Sequence, residues 1–243
     1  MKLIIDIGNT LIKSAVFDGS NIIKIDQLKE YSEVYFENLF SVYSIKSCIL
    51  ASVREDNSKI EDFLTEKTKL FVLDHNTHLP FVNKYSTPET LGRDRIAVMA
   101  AASLMFNSRN ILVIDAGTSI TYDFINDKNE YLGGGISPGL EMRFKALKEF
   151  TEKLPLVHFD GEGLPILTGD STENSILSGV IVGFTKEIEG IIYEYEMRYN
   201  NLKTIVTGGD NKYFDKLLKY KTFAAPNLVL EGLKGILDFN EKE

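Results

Sequence analysis

An aspartate that ends an apolar run and is followed two positions later by glycine occurs twice in this sequence, in Asp6-Ile7-Gly8-Asn9-Thr10 and in Asp115-Ala116-Gly117-Thr118. Such a turn aims successive backbone N–H groups into one concavity, a shape that holds a phosphate. Glycine opens backbone conformations closed to other residues, and asparagine and threonine tolerate tight turns while offering polar side chains. A carboxylate facing the same concavity can bind Mg²⁺ directly or through water, which suits Asp6. Lys13, further along the second strand, can reach a phosphate oxygen. Asp-x-Gly alone is common at strand–turn junctions; its repetition makes it specific. A third turn, Thr207-Gly208-Gly209-Asp210, has paired glycines that let a flat base approach the backbone. The three turns together describe a nucleotide site.

Moving a phosphoryl group to a hydroxyl also calls for a carboxylate that accepts the hydroxyl proton. The candidate is Asp94 in TLGRDRIAVMAAASLMF, where the run after Asp94 favours helix and Gly92 marks its start. The first helical turn favours a negative charge through its N–H groups and dipole. Arg93 and Arg95 flank Asp94 and can pair with an anionic substrate. There is no GxxxxGK[ST] sequence, and no GxGxxG opens a helix after the first strand, so neither the P-loop nor the dinucleotide-binding pattern applies. A formal charge of -8, from 35 acidic and 27 basic residues, supplies no positive field for nucleic acid. An anionic ligand must be held locally, by N–H groups, a few cations and bound metal.

The elements that must position these residues read as a duplication. IIDIGNTLIKSAVFD (4–18) resembles VIDAGTSITYDFIND (113–127), with Asp6 on Asp115 and Gly8 on Gly117 at a common offset of 109 residues. Each copy is an apolar strand, a tight turn and a second alternating strand. After the first hairpin the pattern predicts a strand (NIIKIDQL), a helix around 32–43, a strand (SCILASV), a helix around 58–67, a strand (LFVL) and the helix after Asp94. After the second it predicts a strand near Tyr131, a helix from about Gly139 to Phe150, an irregular connection through EKLPLVHFDGEGLPIL, a long amphipathic stretch from Thr172 to Tyr199 and a strand (TIVT). Both halves, 1–109 and 110–243, thus read β-β-β-α-β-α-β-α. Hairpins followed by strand–helix alternation imply mixed sheets with helices on their faces, an α/β architecture with a nucleotide cleft expected between the halves.

This arrangement resembles the superfamily of sugar kinases, actin and heat-shock chaperone ATPases, whose duplicated ribonuclease H-like halves close over ATP. Within it, the chain is similar to the type III pantothenate kinases over nearly its whole length and in motif order. The motifs are DIGNTxxK at 6–13, Tyr85 through GRDR at 92–95, DAGTSITYD at 115–123, GGGISPGLEMRFKAL at 133–147, STENSILSG at 171–179 and TGGD at 207–210. The resemblance implies that Asp6, Ile7, Gly8, Asn9, Thr10, Leu11, Ile12 and Lys13 bind ATP phosphates and that Thr118 also contacts ATP. It makes Asp94 the proton acceptor for the primary hydroxyl of pantothenate. Tyr85, Gly92, Arg93, Asp94, Arg95 and Thr172 would hold pantothenate, and Asp115 a monovalent cation, potassium or ammonium. It further implies Mg²⁺, a homodimer, and a place at the opening of coenzyme A synthesis. Arg93 fills a position often small in the family and Ser175 one where alanine is usual; neither removes a functional group. Two other readings of the same fold are a non-catalytic regulator that binds ATP or a metabolite and a kinase acting on another small molecule.

The remaining features have structural readings. Asp6 follows the apolar start too early for a secretory signal, and no run reaches the roughly 20 apolar residues of a membrane span, so a cytoplasmic protein is expected. The single cysteine, Cys48, sits in an apolar run and reads as a buried thiol. His75 and His78 have metal-ligand spacing but no companion ligands nearby, and His158 stands alone. The aromatic stretch YSEVYFENLFSVY has helical spacing and reads as packing against a sheet.

Overall fold

The computed structural model describes residues 1–54, 56–161 and 165–242. Two compact units emerge, Met1–Met105 with Leu228–Glu243, and Phe106–Asn227.

Unit 1 begins with three strands, β1 (Lys2–Ile7), β2 (Ile12–Asp18) and β3 (Asn21–Leu28). There follow α1 (Glu33–Val42), β4 (Ser47–Ser52), α2 (Ser58–Lys67), β5 (Lys69–Val72), the two-residue β6 (Val82–Asn83), a short 3-10 turn (Pro88–Thr90) and α3 (Arg93–Met105). The sheet order is β3-β2-β1-β4-β5. β1 runs antiparallel to β2 and parallel to β4. Side chains alternate across a strand. Leu3, Ile5 and Ile7 of β1 therefore enter one core with Phe36 and Leu39 of α1 and Ile60, Phe63 and Leu64 of α2, while Ile4 and Asp6 point to the opposite face. Ser32 caps α1 by accepting the Tyr35 N–H at 3.3 Å. Cys48 is buried in this core, and burial pushes its thiol pKa up.

Unit 2 contains β7 (Ile111–Ala116), β8 (Ser119–Ile125), β9 (Glu130–Pro138), α4 (Leu140–Glu149), α5 (Thr172–Leu177), α6 (Gly183–Arg198), β10 (Lys203–Thr207), α7 (Asn211–Leu217) and β11 (Phe223–Ala224). Its strands run β11-β10-β7-β8-β9. β7 is antiparallel to β8 and parallel to β10. Counted from the first strand of each unit, this is the order and direction of unit 1, so the duplication legible in the two hairpins extends to whole sheets. Leu112, Ile114 and Ala116 face the core with Phe144 of α4 and Ile181, Phe184 and Ile188 of the later helical run. Asp115 points the other way, as Asp6 does.

Two differences from expectation have physical reasons. The long stretch from Thr172 breaks into α5 and α6 around a π-helical turn, Ser178–Val182, which contains Gly179 and is followed by Gly183, and glycine has little preference for the regular helical ladder. The last helix, α8 (Leu228–Asn240), groups with unit 1 rather than with the half 110–243. Gly232 explains how: a Cβ there would lie 1.8 Å from the Ala97 carbonyl oxygen, so only glycine lets α8 press against α3. Of the connection expected between α4 and α5, residues 162–164 lie outside the described residues; it is tied down where Ser178 Oγ donates to Leu167 O at 2.6 Å. Among the described residues no helix is long and apolar enough to cross a membrane.

Candidate active site

β1 and β2 meet in a turn that the Gly8 N–H closes on Leu11 O at 3.0 Å. Gly8 does not take a left-handed conformation here. Its value is room, because an added Cβ would sit 3.3 Å from Leu11 O. Asn9 and Thr10 are exposed at the tip, whereas the side chains of Ile7 and Ile12 belong to the core and leave only their backbones to face a ligand. The turn is braced from behind by the loop after β4. Val53 N–H donates to Ile7 O at 3.0 Å, and Arg54 Nε donates to Gly8 O at 3.0 Å. Arg54 is a site residue the sequence reading missed. Its partner is a backbone carbonyl, which leaves no signature in residue types.

Asp6 lies directly opposite Lys13 in the β1–β2 register. It is only 8% exposed. Burial raises its pKa to about 6, with Lys13 lowering it and Asp94 raising it further. Two of the groups expected to handle phosphate and proton, Lys13 and Asp94, thus both act on Asp6. Asp94 stands in the first turn of α3, whose first helical bond runs from Ile96 N–H to Gly92 O at 3.1 Å. Its Oδ1 folds back to accept the Arg95 N–H at 2.8 Å. A Cβ at Gly92 would come 2.5 Å from that oxygen, so glycine is what permits this pose.

Arg95 is buried, at 5% exposure, and its guanidinium lies 5.5 Å from the centroid of the Tyr85 ring, within cation–π range. Tyr85 and Arg95 are thereby brought together. Arg93 instead spends Nη1 on Leu91 O at 3.1 Å.

In unit 2 the Gly117 N–H closes its turn on Ser119 O at 3.1 Å, and Thr118 is exposed. Gly139, at the start of α4, abuts this turn: a Cβ there would be 2.3 Å from Gly117 O. Asp115 is in register with Thr207 of β10. Gly208 has φ +93°, and a Cβ there would lie 2.3 Å from Ala116 O and 2.5 Å from Asp115 Oδ1. The TGGD turn is thus wedged against the Asp115 turn, and Asp210 N–H seals it on Ala116 O at 3.0 Å. Thr172 is exposed at the start of α5, behind its cap Ser171. His158 lies 3.4 Å from Glu141, and among the described residues no group of three or more His, Cys, Asp or Glu side chains gathers as for a tightly bound metal.

Two like-ordered mixed sheets, each with an Asp-x-Gly turn at the end of its first strand, define a duplicated α/β fold. Solved structures share it. A glucokinase from an Antarctic psychrotroph aligns with TM-score 0.52 and 12% identity over 98% of both chains. A Campylobacter jejuni protein described as a Baf family transcriptional activator aligns with TM-score 0.64 and 22% identity over 99% of this chain and 100% of that one. The profile of the family described as Type III pantothenate kinase matches residues 2–194, and the chain belongs to that family. Among its relatives, the Type III pantothenate kinase of Christiangramia forsetii is 47% identical over 246 residues, covering 100% of both chains.

Proposed function

We propose that this enzyme transfers the γ-phosphate of ATP to the 4′-hydroxyl of pantothenate, giving 4′-phosphopantothenate and ADP, the reaction that opens coenzyme A synthesis. The observation that supports this reading is the buried carboxylate of Asp6, which lies opposite Lys13 in the hairpin register and feels the charges of both Lys13 and Asp94.

The backbone of the 6–13 turn cradles the phosphates, and the Lys13 ammonium offsets their charge. Asp94 orients the pantothenate hydroxyl and accepts its proton as the oxygen–phosphorus bond forms and the bond to ADP breaks. Arg95, beside the Tyr85 ring, offers a fixed cation to the pantothenate carboxylate, and Gly92, Arg93 and Thr172 are further pantothenate contacts in this reading. Thr118 contacts ATP. The donor chemistry fits two ions. Asp6, a buried carboxylate, suits Mg²⁺, and Asp115 suits potassium or ammonium. Mg²⁺ held by Asp6 would offset phosphate charge, and a monovalent cation held by Asp115 would add positive charge beside its turn. Our reading includes a homodimer in the cytoplasm.

The test is a coupled ADP-release assay with ATP, run with and without pantothenate and with sodium or potassium as the only monovalent ion. Release that requires both pantothenate and potassium is expected. Release indifferent to pantothenate would return the chain to kinases of another substrate, and no release at all would favour a binding protein of the same fold.

A further inference from the structure

Each Asp-x-Gly aspartate has a defined neighbour across its hairpin. In unit 1 Asp6 is paired with Lys13, whose charge acts on it. In unit 2 Asp115 is paired with Thr121. Directly opposed residues of an antiparallel pair share a face, with Cβ atoms about 4.5–5.5 Å apart. The position that carries an ammonium in one half therefore carries a hydroxyl in the other. Sequence offset conceals this, because the second turn is one residue shorter. The common offset of 109 matches Lys13 with Tyr122, but Tyr122 is paired with Ile114 and enters the core.

The Thr121 hydroxyl is committed in a particular direction. Oγ1 donates to Asp123 Oδ2 at 2.9 Å in a buried setting. Asp123, fully buried, accepts the Tyr131 hydroxyl on Oδ1 at 2.6 Å. A hydroxyl has one hydrogen. With it given to Asp123, Thr121 Oγ1 presents only lone pairs to the rest of its surroundings. Asp115, Thr121 and Asp123 alternate onto one face of the sheet. That face thus offers carboxylate oxygens and an acceptor-only hydroxyl, hard oxygen donors suited to a hard cation rather than a soft one.

We infer that Thr121 is a ligand of the monovalent cation assigned to Asp115, and that this cation occupies in unit 2 the place filled by the Lys13 ammonium in unit 1. Asp123 and Tyr131 fix the direction of the Thr121 lone pairs. The correspondence with a lysine ammonium also accounts for a site open to both potassium and ammonium. The inference rests on the proposed role of Asp115.

The test follows cation binding through melting temperature rather than turnover. Full-length wild type, Asp115→Asn, Thr121→Val and Thr121→Ser are melted in choline chloride progressively replaced by potassium chloride at constant total salt, with ADP and MgCl₂ present. Potassium should raise the melting temperature of wild type and T121S with similar midpoints. Loss of one charge-assisted contact in T121V should shift the midpoint upward by about tenfold. A T121V midpoint equal to wild type overturns the inference. If D115N also titrates like wild type, the assignment of Asp115 itself falls; if D115N loses the response while T121V keeps it, only the role of Thr121 falls. Thr121→Lys gives a second route that does not depend on T121V folding. Melting in choline at or above the wild-type value in potassium, with no further response to potassium, supports the correspondence. Melting that still climbs at the wild-type midpoint overturns it.

Discussion

The negative charge of Asp94, in the first turn of α3, bears on the buried carboxylate of Asp6 at the end of β1. The alternation of β1 turns Asp6 away from the core of α1 and α2 and toward the face where the entrance of α3 brings Asp94. Lys13, opposite Asp6, acts the other way, and burial outweighs it. A buried carboxylate held in this way gains from a bound cation.

Asp94→Asn keeps the shape of the helix entrance, including an acceptor for the Arg95 N–H, and removes the base. Turnover with pantothenate should fall by about 10²–10⁴-fold, with ATP binding retained. Steady-state kinetics and nucleotide titration on the same preparation check both halves of this statement. A variant that phosphorylates pantothenate at nearly the wild-type rate would show that Asp94 is not the proton acceptor.

Asp6→Asn should separate stability from function. Because the folded pKa of Asp6 is raised from 3.8 to about 6, the folded state holds its proton over a pH range in which the unfolded chain has released it. Stability from this group is therefore greatest below about pH 4, declines as pH rises to about 6, and is level above. The total is about 3 kcal/mol at about 1.4 kcal/mol per pKa unit. The variant lacks this decline, so its melting temperature relative to wild type should improve between pH 4 and 6 and then hold constant, while ATP use is lost. In wild type, the KM for MgATP should rise below about pH 6 as Asp6 protonates. A difference in melting temperature that stays flat across that range would refute the burial argument.

Much of this was readable from residue order alone. The hairpins announced themselves through apolar alternation around Asp-x-Gly, and the position of Asp94 followed from a helix-forming run with glycine at its head. What was not readable depended on contacts across the fold. The apolar face of α8 says that it is buried, but its place in unit 1 rests on the approach of Gly232 to Ala97. The role of Gly8 was expected to be conformational and is steric instead. Thr121 was hidden by a turn one residue shorter than its counterpart, and Arg54 by having a main-chain partner.

The two glycines of the TGGD turn should respond differently to alanine. Gly208 combines φ +93° with a Cβ overlap on Ala116 O, so Gly208→Ala should cost at least about 1–3 kcal/mol in backbone strain alone and lower the melting temperature markedly. At Gly209 an added Cβ meets nothing within 4 Å. Gly209→Ala should therefore leave melting within about 2 °C of wild type. If the adenine base lies against this backbone, the methyl group will raise the KM for ATP and leave that for pantothenate unchanged. An unaltered KM for ATP in G209A would place the base elsewhere.

Arg54 offers the sharpest test of the phosphate turn, because its side chain donates to the main chain of that turn at Gly8 O. Removing one hydrogen bond to a charged donor is worth roughly 1 to 2 kcal/mol, or about five- to thirtyfold in an equilibrium. Arg54→Ala should raise the KM for ATP within that range while pantothenate KM stays put, and Arg54→Lys should recover part of the loss by restoring a cationic donor. A purely structural arginine would behave otherwise: melting temperature would fall and both KM values would drift together, with lysine no better than alanine. The split between the two substrates therefore decides whether Arg54 positions the turn or merely supports the loop after β4.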